Sequence, residues 1–101
     1  MLANRDYMIT IECFKDVVAL YPSGQVFSMA NGADQSKLDE ALVRSVLQLI
    51  ARRQATVGTG ETPYRPLLRF QIHPDAMRTY FHVYPLFENL RIPLTRENLD
   101  N

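Results

Sequence analysis

The chain has 101 residues, 47% of them hydrophobic and 22% charged, with eleven basic and eleven acidic side chains and no formal net charge. That length holds one small domain, read as residues 1–101 with an ordered core over about 7–95, and the composition argues against a disordered tail, a disulfide scaffold, a coiled-coil rod and a bilayer-spanning chain. Zero net charge also removes the simplest argument for nucleic-acid binding, which rests on phosphate neutralisation.

Residues 7–13 alternate, with Tyr7, Ile9, Ile11 and Cys13 on one side and Met8, Thr10 and Glu12 on the other. Period two predicts a half-buried strand. A second β-rich run spans Asp16–Tyr21, and the short gap predicts a hairpin even without the Asn-Gly signature of the tightest turn. Pro22-Ser23-Gly24 ends that run, Gln25–Ser28 adds a short third strand, and Asn31-Gly32 is a turn signal. Residues 36–55 are the clearest element, a helix. Ser36 with Asp39 resembles a capping box, with Asp34 as the alternative cap. Leu38, Leu42, Val43, Val46, Leu47, Leu49 and Ile50 cover about half of its wheel. That apolar face is wider than one sheet contact requires, so part of it is expected to meet a second helix or a second subunit.

Thr56–Pro66, with Gly58, Gly60, Pro63 and Pro66, reads as a flexible loop. Leu67–His73 is a strand with Leu68, Phe70 and Ile72 on one side. Ala76–Leu90 carries aromatic and apolar residues at three-and-four spacing and predicts a second helix, with a kink or break at Pro85. Arg91–Thr95 reads as a short last strand, and residues 96–101 as a polar, frayed tail. The order β-β-(β)-α-β-α-β predicts an α/β (α+β) two-layer sandwich: one mixed sheet of four to five strands with two helices on one face.

Charge is uneven along the chain. Residues 1–43 carry three basic and six acidic groups, whereas residues 44–78 carry six Arg against Glu61 and Asp75. Nine of the eleven basic residues are Arg, which favours fixed ion pairs within the fold or to a second subunit. The sharper reading is an anion-binding face drawn from Arg44, Arg52, Arg53, Arg65 and Arg69, in which Arg52, Arg53, Arg65 and Arg69 with the 56–66 loop would hold a small anion or nucleotide.

The motifs of catalysis find no anchor. His73, Asp75 and His82 match no standard zinc spacing, so no metal is expected. Cys13 shares a side with Ile9 and Ile11 and reads as a small buried hydrophobe. Gly58-Thr59-Gly60 lies between a helix and a strand, the wrong polarity for a phosphate loop. No cofactor and no enzymatic activity are expected. Tyr80, Phe81, Tyr84 and Phe87 sit at helical spacing and, together with the other tyrosines, exceed the needs of a small core. Tyr with Arg is the composition of interface anchors.

Pro66-Leu67-Leu68-Arg69-Phe70-Gln71-Ile72-His73-Pro74-Asp75-Ala76, then Thr79-Tyr80, then Leu90-Arg91-Ile92-Pro93-Leu94 is a pattern similar to the ExbD/TolR periplasmic domain. The strand pair around Pro22-Ser23-Gly24 and the Leu38–Ile50 helix look like it too. A closer likeness is to uncharacterised ExbD-like domains, which share the Ile-Glu-Cys start. The resemblance covers roughly residues 8–95 and implies a non-enzymatic domain that dimerises and works within a larger membrane assembly. That family's N-terminal membrane helix and its essential Asp are not present in this sequence, so proton coupling is not carried over.

The expected function is therefore a protein-interaction module whose partner is a second copy or another protein, without nucleic acid and without a membrane span in this chain. Its candidate interface is the second helix and last strand: Tyr80, Tyr84, Phe87, Ile92 and Leu94. The compartment reads as cytoplasmic if Met1 is the native start and periplasmic if this is an excised ExbD-like domain.

Overall fold

A computed structural model describes residues 5–29 and 35–100. In chain order the elements are β1 (Asp6–Phe14), β2 (Val17–Tyr21), β3 (Gln25–Ser28), α1 (Gln35–Gln54), β4 (Arg65–Ile72), α2 (Met77–Phe87), a single 3₁₀ turn (Glu88–Leu90) and β5 (Leu94–Asn98). The strands form one mixed sheet in the order β3-β2-β1-β4-β5. β1, β2 and β3 make an antiparallel meander, whereas β4 lies parallel to β1, and β5 parallel to β4. Both helices pack on one face, as the element order predicts.

Alternation decides which side chains that layer covers. Ile9, Ile11 and Cys13 of β1, Val18 and Leu20 of β2, and Leu68, Phe70 and Ile72 of β4 are all buried toward the helices. From the other side come Leu42, Val46 and Leu49 of α1 and Tyr80, Val83 and Phe87 of α2. Phe70 is the hub. Its ring centroid lies 5.6, 5.7 and 6.1 Å from those of Tyr80, Tyr84 and Phe87.

The turns follow local chemistry. Lys15-Asp16 closes the β1–β2 hairpin with Asp16 left-handed at φ 60°, a conformation Asp tolerates better than most residues. The Asp16 N–H donates to Thr79 Oγ1 at 3.1 Å, and its carbonyl accepts from the Met29 N–H at 2.7 Å. The β2–β3 turn contains a cis Tyr21–Pro22 peptide and needs Gly24 at φ 79°.

Several expectations are revised. α2 runs through Pro85 without a break and ends at Phe87, two residues later. A proline this close to the helix end removes the N–H that would bond the Phe81 carbonyl, and the following 3₁₀ turn takes over. The last strand starts at Leu94 rather than Arg91, because Arg91 is left-handed at φ 59° and ends the 3₁₀ turn. Residues 96–98, read from the sequence as a frayed tail, pair with Phe70–Ile72 as the edge of the sheet. Ser36 lies within α1, and the Asp39 carboxylate accepts from Gln35 and pairs with His82 instead of forming a capping box. The Asp34 cap and the Asn31-Gly32 turn lie outside the described residues.

Candidate functional site

Among the described residues, no element covers the sheet face opposite the helices. Its side chains form rows across the strands. One row is Tyr21, Thr10, Arg69 and Thr95; the next is Val26, Ala19, Glu12, Gln71 and Glu97. Met8, Tyr21 and Val26 are exposed at its margin, at 40%, 43% and 66%. The centre is polar and bonded. His73 Nε2 lies 2.7 Å from Glu12 Oε2, and its ring stacks on Phe14 at 4.4 Å. Gln71 Nε2 donates to Glu97 Oε1 at 3.0 Å. Arg69 donates to Thr10 Oγ1 at 3.2 Å, while its Nε is buried without an acceptor.

A second cluster sits at the helix-side end of the sheet. The parallel register of β1 with β4, extended by the bond from the Arg65 N–H to the Arg5 carbonyl, brings Arg5 beside Tyr64. Gln54, the last residue of α1, grips the Tyr64 backbone at both groups. Its Nε2 donates to the carbonyl at 2.6 Å and its Oε1 accepts from the N–H at 3.0 Å. The guanidinium carbons of Arg5 and Arg53 lie 4.1 and 4.6 Å from the centroid of the Tyr64 ring. Arg5 Nη1 also donates to the Thr62 carbonyl at 2.9 Å. The 56–64 connection is thus tied down at Tyr64 and Thr62, and at Glu61, whose carboxylate accepts from the Gly58 N–H.

Two tyrosines carry the electrostatics of these clusters. The Arg5 guanidinium beside the Tyr64 phenol, aided by Arg53 and Thr56 and opposed by partial desolvation, holds that phenol below the usual tyrosine pKa. The Glu12 charge beside Tyr21, with desolvation and the hydrogen bond between them, pushes the other phenol above it. A spectrophotometric titration of the five tyrosines is expected to show Tyr64 ionising first and Tyr21 late. Glu12→Gln should bring Tyr21 back toward 10, its ordinary value. Tyr64, more acidic folded than unfolded, adds stability as pH rises through its titration, and Tyr21 opposes it. An unsplit titration would refute both placements.

The residues singled out from sequence fare unequally. Tyr80 and Phe87 are 4% and 0% exposed and belong to the core. Tyr84 is half-buried against Phe70, and Ile92 and Leu94 are half-buried beneath the core's edge. Of the candidate interface on α2 and β5, Tyr80 and Phe87 are therefore core residues, while Tyr84, Ile92 and Leu94 keep part of their surface exposed. The exposed aromatic of α2 is Phe81, at 63%. On α1, Leu47 is 44% exposed and lines a shallow groove of about 420 Å³ with Val43 and Leu86. Of the four arginines Arg52, Arg53, Arg65 and Arg69, Arg52 is exposed on α1 and the other three have separate partners. Arg69 lies on the open face, Arg65 pairs with Asp6 at 3.0 Å, and Arg53 reaches Tyr64. Among the described residues Arg65–Asp6 is the only arginine–carboxylate pair. Arg5, the partner that Arg53 does have, was missed because it lies in the acidic third of the sequence.

Cys13 is fully buried, and that burial, reinforced by Glu12, pushes its thiol up to about 12, outside the range of a nucleophile at neutral pH. His73 and His82 lie apart, each on its own carboxylate, Glu12 and Asp39.

Fold and surfaces together define a class: a two-layer α+β domain with one sheet face left open by the described residues. No protein-family model matches the chain, and no curated protein or solved structure gives a significant match.

Proposed function

We propose that this domain is a non-enzymatic protein-interaction module that pairs with a second copy of itself, in the manner implied by its resemblance to the soluble domain of ExbD/TolR-type proteins. The observation that carries this reading is the open sheet face. It displays Met8, Tyr21 and Val26 around Arg69, whose guanidinium has no carboxylate partner among the described residues. The same face carries Glu97, on β5 and one row away from Arg69. A face bearing both signs can pair with itself about a two-fold axis, each Arg69 meeting the other copy's carboxylate.

Light scattering after size exclusion, over a concentration series, tests it. The wild type is expected to dimerise, and Arg69→Glu and Val26→Lys to be monomers with unchanged circular dichroism. Val26 is the cleaner variant because its side chain is exposed. A monomeric wild type at every concentration overturns the reading. Dissociation by Phe81→Asp but not by Val26→Lys would move the interface to the helices.

A further inference from the structure

We propose that Arg5, Arg53 and Tyr64 form a binding site for a phosphomonoester group, separate from the open sheet face. Two guanidinium groups within 5 Å of one ring centroid lie within about one Debye length of each other, ~10 Å at 0.1 M salt. Neither has a carboxylate within ion-pair distance among the described residues. The nearby acids are engaged elsewhere: Asp6 with Arg65, and Glu61 with the Gly58 N–H. The position of Arg53 in the last turn of α1 accounts for one positive charge, since it complements the helix dipole. Arg5 complements no helix end; it is half-buried, and its hydrogen bond to the Thr62 carbonyl leaves most of its donors free of a carboxylate among the described residues.

Ligand chemistry follows from the donors. Two arginine forks and one phenol hydroxyl match an oxyanion with two charges and three acceptor oxygens. The site is also pre-formed. The two bonds from Gln54 fix the Tyr64 backbone, and the ring fixes where both cations rest. The depressed Tyr64 pKa reports the same positive potential.

The test is a titration of the full chain with inorganic phosphate and with ethyl phosphate, read by the NMR shifts of the arginine Nε–H groups. Sodium chloride at matched ionic strength is the control. Saturable shifts are expected at Arg5 and Arg53, with Arg65 and Arg69 unmoved. Phosphate should also raise the Tyr64 pKa. Arg53→Gln, a change at an exposed residue, should weaken binding about tenfold or more without lowering the melting temperature. Shifts reproduced by chloride, or affinity unchanged in Arg53→Gln, overturn the proposal. Phosphatidylcholine vesicles with and without phosphatidic acid form a second arm. Arg53-dependent sedimentation with the acidic vesicles assigns the monoester to a lipid headgroup, and saturation by soluble phosphate alone assigns it to a free metabolite.

Discussion

Phe70→Ala is expected to cost about 3–5 kcal/mol, the range for truncating a large aromatic in a packed core. Phe70 is fully buried between β4 and α2, and Tyr80, Tyr84 and Phe87 all rest on its ring. Those neighbours all lie on α2, which is also held by Val83 in the core and by the contacts of Thr79 with Asp16 and of His82 with Asp39. α2 has no side-chain N-cap and carries Pro85 in its last turn. Removing the ring therefore leaves a cavity under α2 and loosens the helix itself. A small domain holds only about 5–15 kcal/mol in total, so much of its stability would go. Urea melts should show a lower midpoint with an unchanged slope. A loss below about 1 kcal/mol would mean that the aromatic cluster does not anchor α2.

Thr79→Val is expected to cost about 1–3 kcal/mol through a single unmade hydrogen bond. The two side chains have the same shape, and Thr79 is 5% exposed, so packing is preserved. What is lost is the acceptor for the Asp16 N–H, in a turn where that residue already sits at positive φ. Thr79→Ser keeps the acceptor and should recover most of the loss. Hydrogen exchange at the Asp16 amide gives a local readout, faster in the valine variant and near native in the serine one. Equal exchange in all three proteins would remove the bond from the account.

The sequence was most legible where a period survived burial. β1 and β4 alternate cleanly because one side faces helices and the other a polar open face, so Ile9, Ile11, Leu68 and Phe70 announced themselves. The last strand was read too early and its C-terminal half was hidden, for the converse reason. Thr95–Asn98 line an outer edge, contribute nothing to the core, and have no apolar pattern to show. On α2 the aromatic spacing identified a helix but not its phase. Tyr80, Phe81, Tyr84 and Phe87 all fit the period, and only the packing on Phe70 turns Tyr80 and Phe87 inward and leaves Phe81 outside. The Arg–Tyr cluster was out of reach altogether. It joins Arg5 to Tyr64 across the parallel β1–β4 register, a pairing that no local spacing encodes.

That register also orders events during synthesis. The β1–β2 and β2–β3 pairings both lie between Asp6 and Ser28 and can close as soon as that segment emerges. β1 is different, for its second edge is a central position in the finished sheet and waits for β4, whose last residue is Ile72. At ~5–20 residues per second, the apolar edge of β1 stays unpaired for a few seconds on every nascent chain. The interval is set by topology rather than by stability. Substitutions that strengthen the finished core will leave it unchanged, and lengthening the α1–β4 connection will extend it in proportion.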